Sequence, residues 1–173
     1  MIYRKEYMCL LDKWRDQGII KVVTGIRRCG KSSLLKMFRD KLLAEGVLKE
    51  QVLELNFEDL DNEPYLDYKV LYAYVKNHLV ENKMNYLFFD EIQMVDNFQK
   101  VINSFFLLDN VDIYVTGSNA YLLSGEIATL LTGRYVEIKL FPLSFKEYIS
   151  AQPEDMSLDS AYRKYIEIGS FPY

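Results

Sequence analysis

The chain has 173 residues, of which 50% are hydrophobic and 27% are charged, a balance typical of a folded globular protein rather than a disordered or fibrous one. Its net charge of −4 is uneven, since residues 1–50 carry 12 basic and 6 acidic groups while the remainder carries 9 and 19. The acidic remainder argues against a chain that coats a nucleic-acid backbone on its own. No stretch approaches the roughly 18 uninterrupted apolar residues that span a bilayer, and the amino terminus lacks the apolar core of a signal peptide.

Strand and helix patterns alternate along the chain. Strands are predicted at 19–24, 51–57, 85–90, 111–116 and 134–140. Helices are predicted at 3–17, 32–45, 66–82, 96–108, 120–131, 144–150 and 157–168. Because parallel strands need a long crossover connection, usually a helix, this alternation predicts an α/β fold: a mostly parallel sheet with helices on both faces.

A complete phosphate-loop motif joins the first strand to the helix that follows it. Residues 25–32 match G-x-x-x-x-G-K-[ST] at every fixed position. Glycines allow a tight loop whose backbone N–H groups point at phosphates, and the start of a helix favours an anion. The lysine would place its charge on the β- and γ-phosphates, and the final hydroxyl would be a ligand of Mg²⁺. The predicted nucleotide-binding residues are Gly25, Ile26, Arg27, Arg28, Cys29, Gly30, Lys31, Ser32 and Ser33.

The apolar strand that begins near Tyr86 ends in two acids, Asp90 and Glu91. In a phosphate-loop enzyme the first acid holds Mg²⁺, and the second is placed to orient or deprotonate the attacking water. Many strands end in acids, so the pair alone would be a weak signal. Downstream of a complete phosphate loop, it predicts Asp90 and Ser32 as metal-binding residues and Glu91 and Lys31 as catalytic ones, acting on ATP with Mg²⁺.

Small polar residues follow the strand over 111–116. If that strand lies between the first and the third, Ser118 or Asn119 would hydrogen-bond both the γ-phosphate and the attacking water. The alternative is a turn that caps the following helix with one of these side chains. We predict Ser118 and Asn119 as catalytic candidates, and the residue types leave open which of the two serves.

Two charged features leave further alternatives open. Arg134 is either a solvated strand-edge residue or a group that supplies charge to a transferring phosphate, in cis or in a neighbouring subunit. The acidic run between residues 54 and 67 is either a solvated loop or a segment that brings Glu58 or Asp59 near the metal or a partner.

A linker-like break near residues 152–155 divides the chain. We predict a nucleotide-binding core with its N-terminal helix over 1–150 and the start of a trailing helical segment over 151–173. The abrupt end after a helix and a turn is typical of a cut inside a longer protein. Cys9 and Cys29 lack metal-type spacing and are expected to be free thiols in the cytoplasm.

Taken together, these motifs resemble those of the AAA+ ATPases, within the phosphate-loop NTPases that carry an extra catalytic glutamate. More narrowly, the chain resembles a widespread, poorly characterised prokaryotic group marked by G-I-R-R-x-G-K-S, D-E-I-Q and T-G-S-[NS]. Here these motifs stand at 25–32, 90–93 and 116–119, and the later segments 131–134 and 141–148 also fit the group. The resemblance covers essentially the whole chain. Cys29 departs from it, since the group often has serine there.

The resemblance implies a P-loop NTPase three-layer sandwich whose five-stranded parallel sheet has the order 5-1-4-3-2. It also implies that Arg134 is an arginine finger or a nucleotide sensor. Members of the group usually continue into a C-terminal domain of uncertain function, so an effector domain missing from this chain and a homo-oligomer are the expected partners.

The sequence therefore predicts an ATPase core that hydrolyses Mg-ATP and drives an effector domain or partner. One alternative is a nucleotide-gated interaction module that does not turn over in isolation. A less favoured alternative is a P-loop kinase that passes the γ-phosphate to a hydroxyl, since an acid after Asp90 and a polar strand end favour water as the acceptor. The residues leave the choice between adenine and guanine open, because base contacts would come from the N-terminal segment near Ile2 and Tyr3.

Overall fold

A computed structural model of the chain describes residues 2–117, 133–153 and 156–169, without the side chain of Ile168. Five strands lie in this part of the chain: β1 (Ile20–Gly25), β2 (Val52–Asn56), β3 (Asn85–Asp90), β4 (Val111–Thr116) and β5 (Tyr135–Leu140). Its α-helices are α1 (Lys5–Lys13), α2 (Lys31–Ala44), α3 (Tyr68–His78), α4 (Phe98–Phe106), α5 (Phe145–Ile149) and α6 (Leu158–Ile168). Short 3₁₀ turns cover Lys49–Gln51, Leu60–Leu66 and Ile92–Met94.

The five strands form one sheet in the order β2-β3-β4-β1-β5, and every neighbouring pair is parallel. The predicted order 5-1-4-3-2 is therefore confirmed. Because all strands run the same way, the residues that follow β1, β3 and β4 meet at one edge of the sheet, the carboxyl edge. In open α/β sheets, ligands bind outside this edge.

Helices cover both faces of the sheet, which confirms the predicted three layers. On one face, α3 and α4 pack through Leu71, Val75 and Phe105 onto alternate residues of the central strands, among them Leu87 and Phe89. On the other face, α1 and α2 pack onto the intervening residues. The central strands β1 and β3 are buried along their whole length, as expected of parallel strands with both faces covered.

Most of the described helices, but not α2, are shorter than the sequence pattern predicts. Helix α1 ends at Lys13 rather than near residue 17, because Asp16 and Gly18 both adopt positive φ. Helix α3 starts at Tyr68, where the Asp67 side chain accepts from the backbone N–H groups of Lys69 and Val70. The helix predicted over 120–131 lies outside the described residues. None of the described helices is long and apolar enough to span a membrane.

The lysine that interrupts the first apolar strand forms a buried ion pair. Lys21 is fully buried, and its Nζ contacts the Asp112 carboxylate of neighbouring β4 and donates to the Ile19 carbonyl at 3.0 Å. Asp112 also accepts from the Tyr114 hydroxyl at 2.7 Å and from the backbone N–H of Asp16 at 3.1 Å. Burial lowers the pKa of Lys21, against the opposing effect of Asp112. The pair ties β1 to β4 below the site.

Replacing Lys21 by methionine is expected to lower the free energy of unfolding by about 3–5 kcal/mol, because it leaves the Asp112 charge buried without its cation. Urea denaturation would measure this. Lys36→Met, at an exposed position of α2, is the control and should change stability by less than about 0.5 kcal/mol. Equal unfolding midpoints for the two variants would contradict a structural role for the pair.

Candidate functional site

The phosphate-loop motif folds as a tight loop between β1 and α2. The strand ends at Gly25, and α2 begins at Lys31 directly after Gly30, which has φ 97° and ψ 25°. Arg28 also has a positive φ of 68°. The first backbone N–H groups of α2 are unpaired within the helix and carry the positive end of its dipole. The loop therefore joins two features that favour a bound anion at the carboxyl edge of the sheet.

Gly25 is required where the loop passes closest to β5. A Cβ at this position would lie 2.4 Å from the Leu140 carbonyl oxygen and 2.8 Å from Cys29 Sγ, too close for any other residue without a backbone shift. Cys29 is buried and free, and burial raises the pKa of its thiol. The first fixed glycine of the motif is thus explained by packing, and the cysteine serves as a small apolar residue behind the loop.

Lys31 lies over the loop and reaches the acid that follows β3. Its side chain is only 6% exposed, and its Nζ lies 3.4 Å from the Gly25 carbonyl oxygen, 3.5 Å from that of Ile26 and 3.6 Å from Glu91 Oε1. The structure therefore brings together two residues that stand 60 positions apart in the sequence.

The acids at the end of β3, Asp90 and Glu91, are both held by one hydroxyl group of β4. Thr116 is fully buried; its Oγ1 donates to Asp90 Oδ1 and accepts the backbone N–H of Glu91 at 2.9 Å. Asp90 is 8% exposed, whereas the Glu91 side chain is 17% exposed. Glu91 adopts the left-handed conformation, φ 54° and ψ 49°, which costs a non-glycine residue about 1–2 kcal/mol. Such strain persists where surrounding contacts determine the backbone, which is common in functional sites.

An open cavity of about 380 Å³ lies over the loop. It is lined by Arg27, Arg28, Gly30, Lys31, Ser32, Ser33, Glu58 and Glu91. Across its mouth, the exposed Arg27 guanidinium lies 3.7 Å from Glu58 Oε1. Of the acidic run, Glu58 reaches this cavity, while Asp59 and Asp67 accept from nearby backbone N–H groups at the starts of a 3₁₀ turn and of α3.

Arg4 connects the back of the loop to the segment after β5. Its guanidinium is buried; it pairs with Glu147 of α5 and donates to the Phe141 carbonyl at 2.9 Å and to the Cys29 carbonyl at 3.5 Å. Glu147 is itself partly buried, which favours its neutral form, but hydrogen bonds from Ser144 and Arg4 outweigh this and lower its pKa. Glu147 also belongs to the capping box that begins α5. The amino-terminal segment, the loop and α5 are thereby held together.

Not all of the predicted residues meet at this cavity. Ser118 and Asn119 lie outside the described residues. Arg134 lies at the amino edge of the sheet, directly before β5, where its carbonyl accepts from the backbone N–H of Ile20 at 2.8 Å. Its guanidinium donates to Asn103 Oδ1 at 3.2 Å and lies 5.6 Å from the Phe106 ring centroid, both on α4. At about 3.3 Å per residue, the length of β1 separates Arg134 from the loop, so it does not reach a phosphate bound at its own loop.

Thr116, Gln93 and Arg4 are site residues that the sequence reasoning missed. Thr116 begins the T-G-S-[NS] motif, but the motif gives it no role, and its contact with Asp90 depends on the pairing of β3 with β4. Gln93 ends the D-E-I-Q motif, and its Nε2 donates to Glu91 Oε2 at 2.6 Å, a contact that the motif does not specify. Arg4 had none, because its partners lie 25 to 143 positions away.

The fold and the loop define a class of protein: the chain is an α/β P-loop protein of the nucleotide-binding type. Residues 17–149 match the family profile described as AAA domain (AAA_14). The chain belongs to this family of AAA domains.

Two curated relatives extend this result, and both are uncharacterized proteins. One, from Haemophilus influenzae, is 43% identical over 176 residues, covering 99% of this chain and 44% of that protein. The other, from Methanocaldococcus jannaschii, is 34% identical over 169 residues, covering 88% of this chain and 35% of that protein. The chain thus spans less than half the length of either relative.

Solved structures share the fold at low sequence identity. A Walker-type ATPase of Pyrococcus abyssi has a TM-score of 0.58 at 17% identity, covering 97% of this chain and 59% of that one. AMPPCP-bound DnaA from Aquifex aeolicus has a TM-score of 0.61 at 14% identity, covering 97% of this chain and 57% of that one. A chain of the Hsp104–casein complex of S. cerevisiae has a TM-score of 0.63 at 14% identity, covering 96% of this chain and 30% of that one. These similarities support the fold alone.

Proposed function

We propose that this domain binds Mg-ATP and hydrolyses it by attack of a water that Glu91 orients. The observation that carries the proposal is the 3.6 Å contact between the Lys31 Nζ of the phosphate loop and Glu91 Oε1. It sets the Lys31 cation beside a partly exposed carboxylate, in a cavity that the loop, the start of α2 and Glu58 also line. A carboxylate so placed serves as a base or an orienting group for water bound beside a phosphate.

Binding would draw on the loop and on the start of α2. The backbone N–H groups and the helix dipole favour the phosphates, and Lys31 adds a positive charge beside the loop carbonyls and Glu91. On ATP binding, Lys31 would exchange these partners for phosphate oxygens, which frees Glu91 Oε1. Glu91 Oε1 would then accept a hydrogen bond from the attacking water.

The donor set at this edge of the sheet suits magnesium. Mg²⁺ prefers oxygen ligands, keeps several waters and uses one or two carboxylates together with substrate phosphates. Asp90 offers a carboxylate already oriented by Thr116, and Ser32 offers a hydroxyl in the cavity lining. The residues therefore fit the ion, which when bound would neutralise charge on the β- and γ-phosphates. Glu91, rather than the metal ligands, would orient the attacking water.

Four other parts of the proposal extend beyond the loop. Ser118 or Asn119 would contact the γ-phosphate, and Arg134, which lies away from its own loop, would act on nucleotide bound by a neighbouring copy. The purine base of the nucleotide would lie between the amino-terminal segment and α5, where Ile2, Tyr3 and Glu147 line a cavity of about 510 Å³. The hydrolysis cycle would drive an effector domain or partner, which the greater length of the two relatives favours. The cycle would take place in the cytoplasm. The narrower resemblance to the G-I-R-R-x-G-K-S group remains a prediction.

Glu91→Gln is the variant that tests the chemistry. Because it keeps the shape and removes the base, hydrolysis in a single turnover should slow by roughly 10²-fold or more, while ATP affinity stays nearly unchanged. Asp90→Asn is the matched comparison and should instead raise the Mg²⁺ concentration needed for activity. If Glu91→Gln hydrolyses ATP at the parental rate, Glu91 does not position the water. A phosphorylated small molecule formed without phosphate release would indicate a kinase.

A further inference from the structure

Gln93 contacts the carboxylate that the proposed reaction depends on. Its Nε2 donates to Glu91 Oε2 at 2.6 Å. The two residues flank Ile92, which is fully buried and anchors the 3₁₀ turn that follows β3. Gln93 itself is partly buried, and its Oε1 is buried without a hydrogen-bond partner in the described part of the chain. The amide thus directs its donor at Glu91 although its own acceptor stays unsatisfied there.

The two oxygens of the Glu91 carboxylate have different partners. Oε1 lies 3.6 Å from Lys31 Nζ, a long ion-pair contact, whereas Oε2 holds the short hydrogen bond from Gln93. The backbone of Glu91 is fixed as well, by Thr116 at its N–H and by the Met94 N–H, which donates to its carbonyl at 3.1 Å. A carboxylate that is anchored at one oxygen and fixed at its backbone presents its other oxygen in a defined direction.

We propose that Gln93 is a positioning residue for the hydrolytic reaction and acts through Glu91; this rests on the function proposed above. When the Lys31 ammonium group moves from Glu91 to the phosphates, the hydrogen bond from Gln93 Nε2 to Glu91 Oε2 remains. The carboxylate then cannot rotate freely, and Oε1 stays directed at the space over the loop where the water must lie. Gln93 touches neither the phosphates nor the metal in this scheme, so it should affect the rate of the chemical step and leave ATP affinity alone.

Gln93→Met tests this, because methionine keeps the length of the side chain and lacks the donor. A hydrogen bond to a charged group contributes enough for its loss to slow single-turnover hydrolysis roughly 10-fold or more. ATP affinity and the melting temperature should match those of the parent. Gln17→Met, the same substitution at an exposed position before β1, is the control and should hydrolyse ATP at the parental rate.

A double-mutant cycle with Glu91→Gln separates positioning from a structural role. If Gln93 acts through Glu91, Gln93→Met should slow the parent but produce no further slowing in the Glu91→Gln background. Equal slowing in both backgrounds, a parental rate for Gln93→Met, or a parallel fall in ATP affinity would each overturn the proposal. The parent protein is measured alongside. If the parent hydrolyses ATP, Glu91→Gln is slow and Gln93→Met is as fast as the parent, this inference fails alone. If the parent leaves bound ATP intact, the proposed function fails with it.

Discussion

Lys31→Ala is expected to remove measurable ATP binding. The ammonium group is nearly buried over the loop, within 3.5 Å of two of its carbonyl oxygens, so it is already placed where the phosphates would bind. The variant loses a charged hydrogen bond and leaves phosphate charge unpaired, which costs about 3 kcal/mol of binding free energy. This cost weakens ATP binding by roughly 100-fold or more. Equilibrium titration with a fluorescent ATP analogue would measure this.

The matched control for Lys31→Ala is Lys36→Ala, which removes a lysine from an exposed position of the same helix. It should bind ATP like the parent. A thermal melt of both variants separates loss of the ligand contact from loss of the fold, since only a folded Lys31→Ala protein tests the site. Unchanged affinity in folded Lys31→Ala would remove the loop from the nucleotide site altogether.

Arg134→Ala should bind ATP normally yet hydrolyse it far more slowly, on the order of 10³-fold, the scale of an arginine supplied in trans. Arg134 lies at the amino edge of the sheet, facing α4 and away from its own loop. Its loss should therefore leave ATP binding at that loop unchanged and affect nucleotide bound by a neighbouring copy. Arginine suits this role because it stays charged and presents a planar fork of donors to phosphate oxygens. Phosphate release per molecule in the parent should therefore rise with protein concentration.

Mixing two inactive variants tests whether Arg134 acts between copies. Arg134→Ala lacks the arginine and Glu91→Gln lacks the base, so a mixed assembly contains sites with both groups intact and should regain activity. Arg163→Ala, an exposed arginine on α6, is the control and should be active alone. Parental hydrolysis by Arg134→Ala would make the residue a solvated edge charge. No recovery on mixing, with mixed assembly demonstrated separately, would exclude action in trans.

The loop and the strands could be predicted from the sequence because local rules determine them. The motif at 25–32 has fixed residues with separate mechanical tasks, and apolar runs of five or six residues between helical patterns specify buried parallel strands. The five predicted strands all formed, within one or two residues of the predicted bounds. Sheet order followed from the family resemblance rather than from periodicity.

The contacts that complete the site could not be predicted, because they join residues that only the tertiary fold brings together. Thr116 reaches Asp90 across a strand pair, and Arg4 reaches α5 through a buried ion pair. The edge of the sheet on which Arg134 lies could have been inferred from topology. A residue that directly precedes a parallel strand lies at the amino edge, opposite a loop that follows one.

The most direct test of the account is a single-turnover measurement with the parent protein in excess over radiolabelled ATP, with Mg²⁺ and at high protein concentration. The account predicts that the bound ATP is converted to ADP and free phosphate, with no labelled small molecule formed by phosphoryl transfer. It further predicts that this conversion nearly stops when Glu91 is replaced by glutamine. ATP that remains bound and intact in the parent, under conditions in which the copies assemble, would contradict hydrolysis and make the domain a nucleotide-gated binding module.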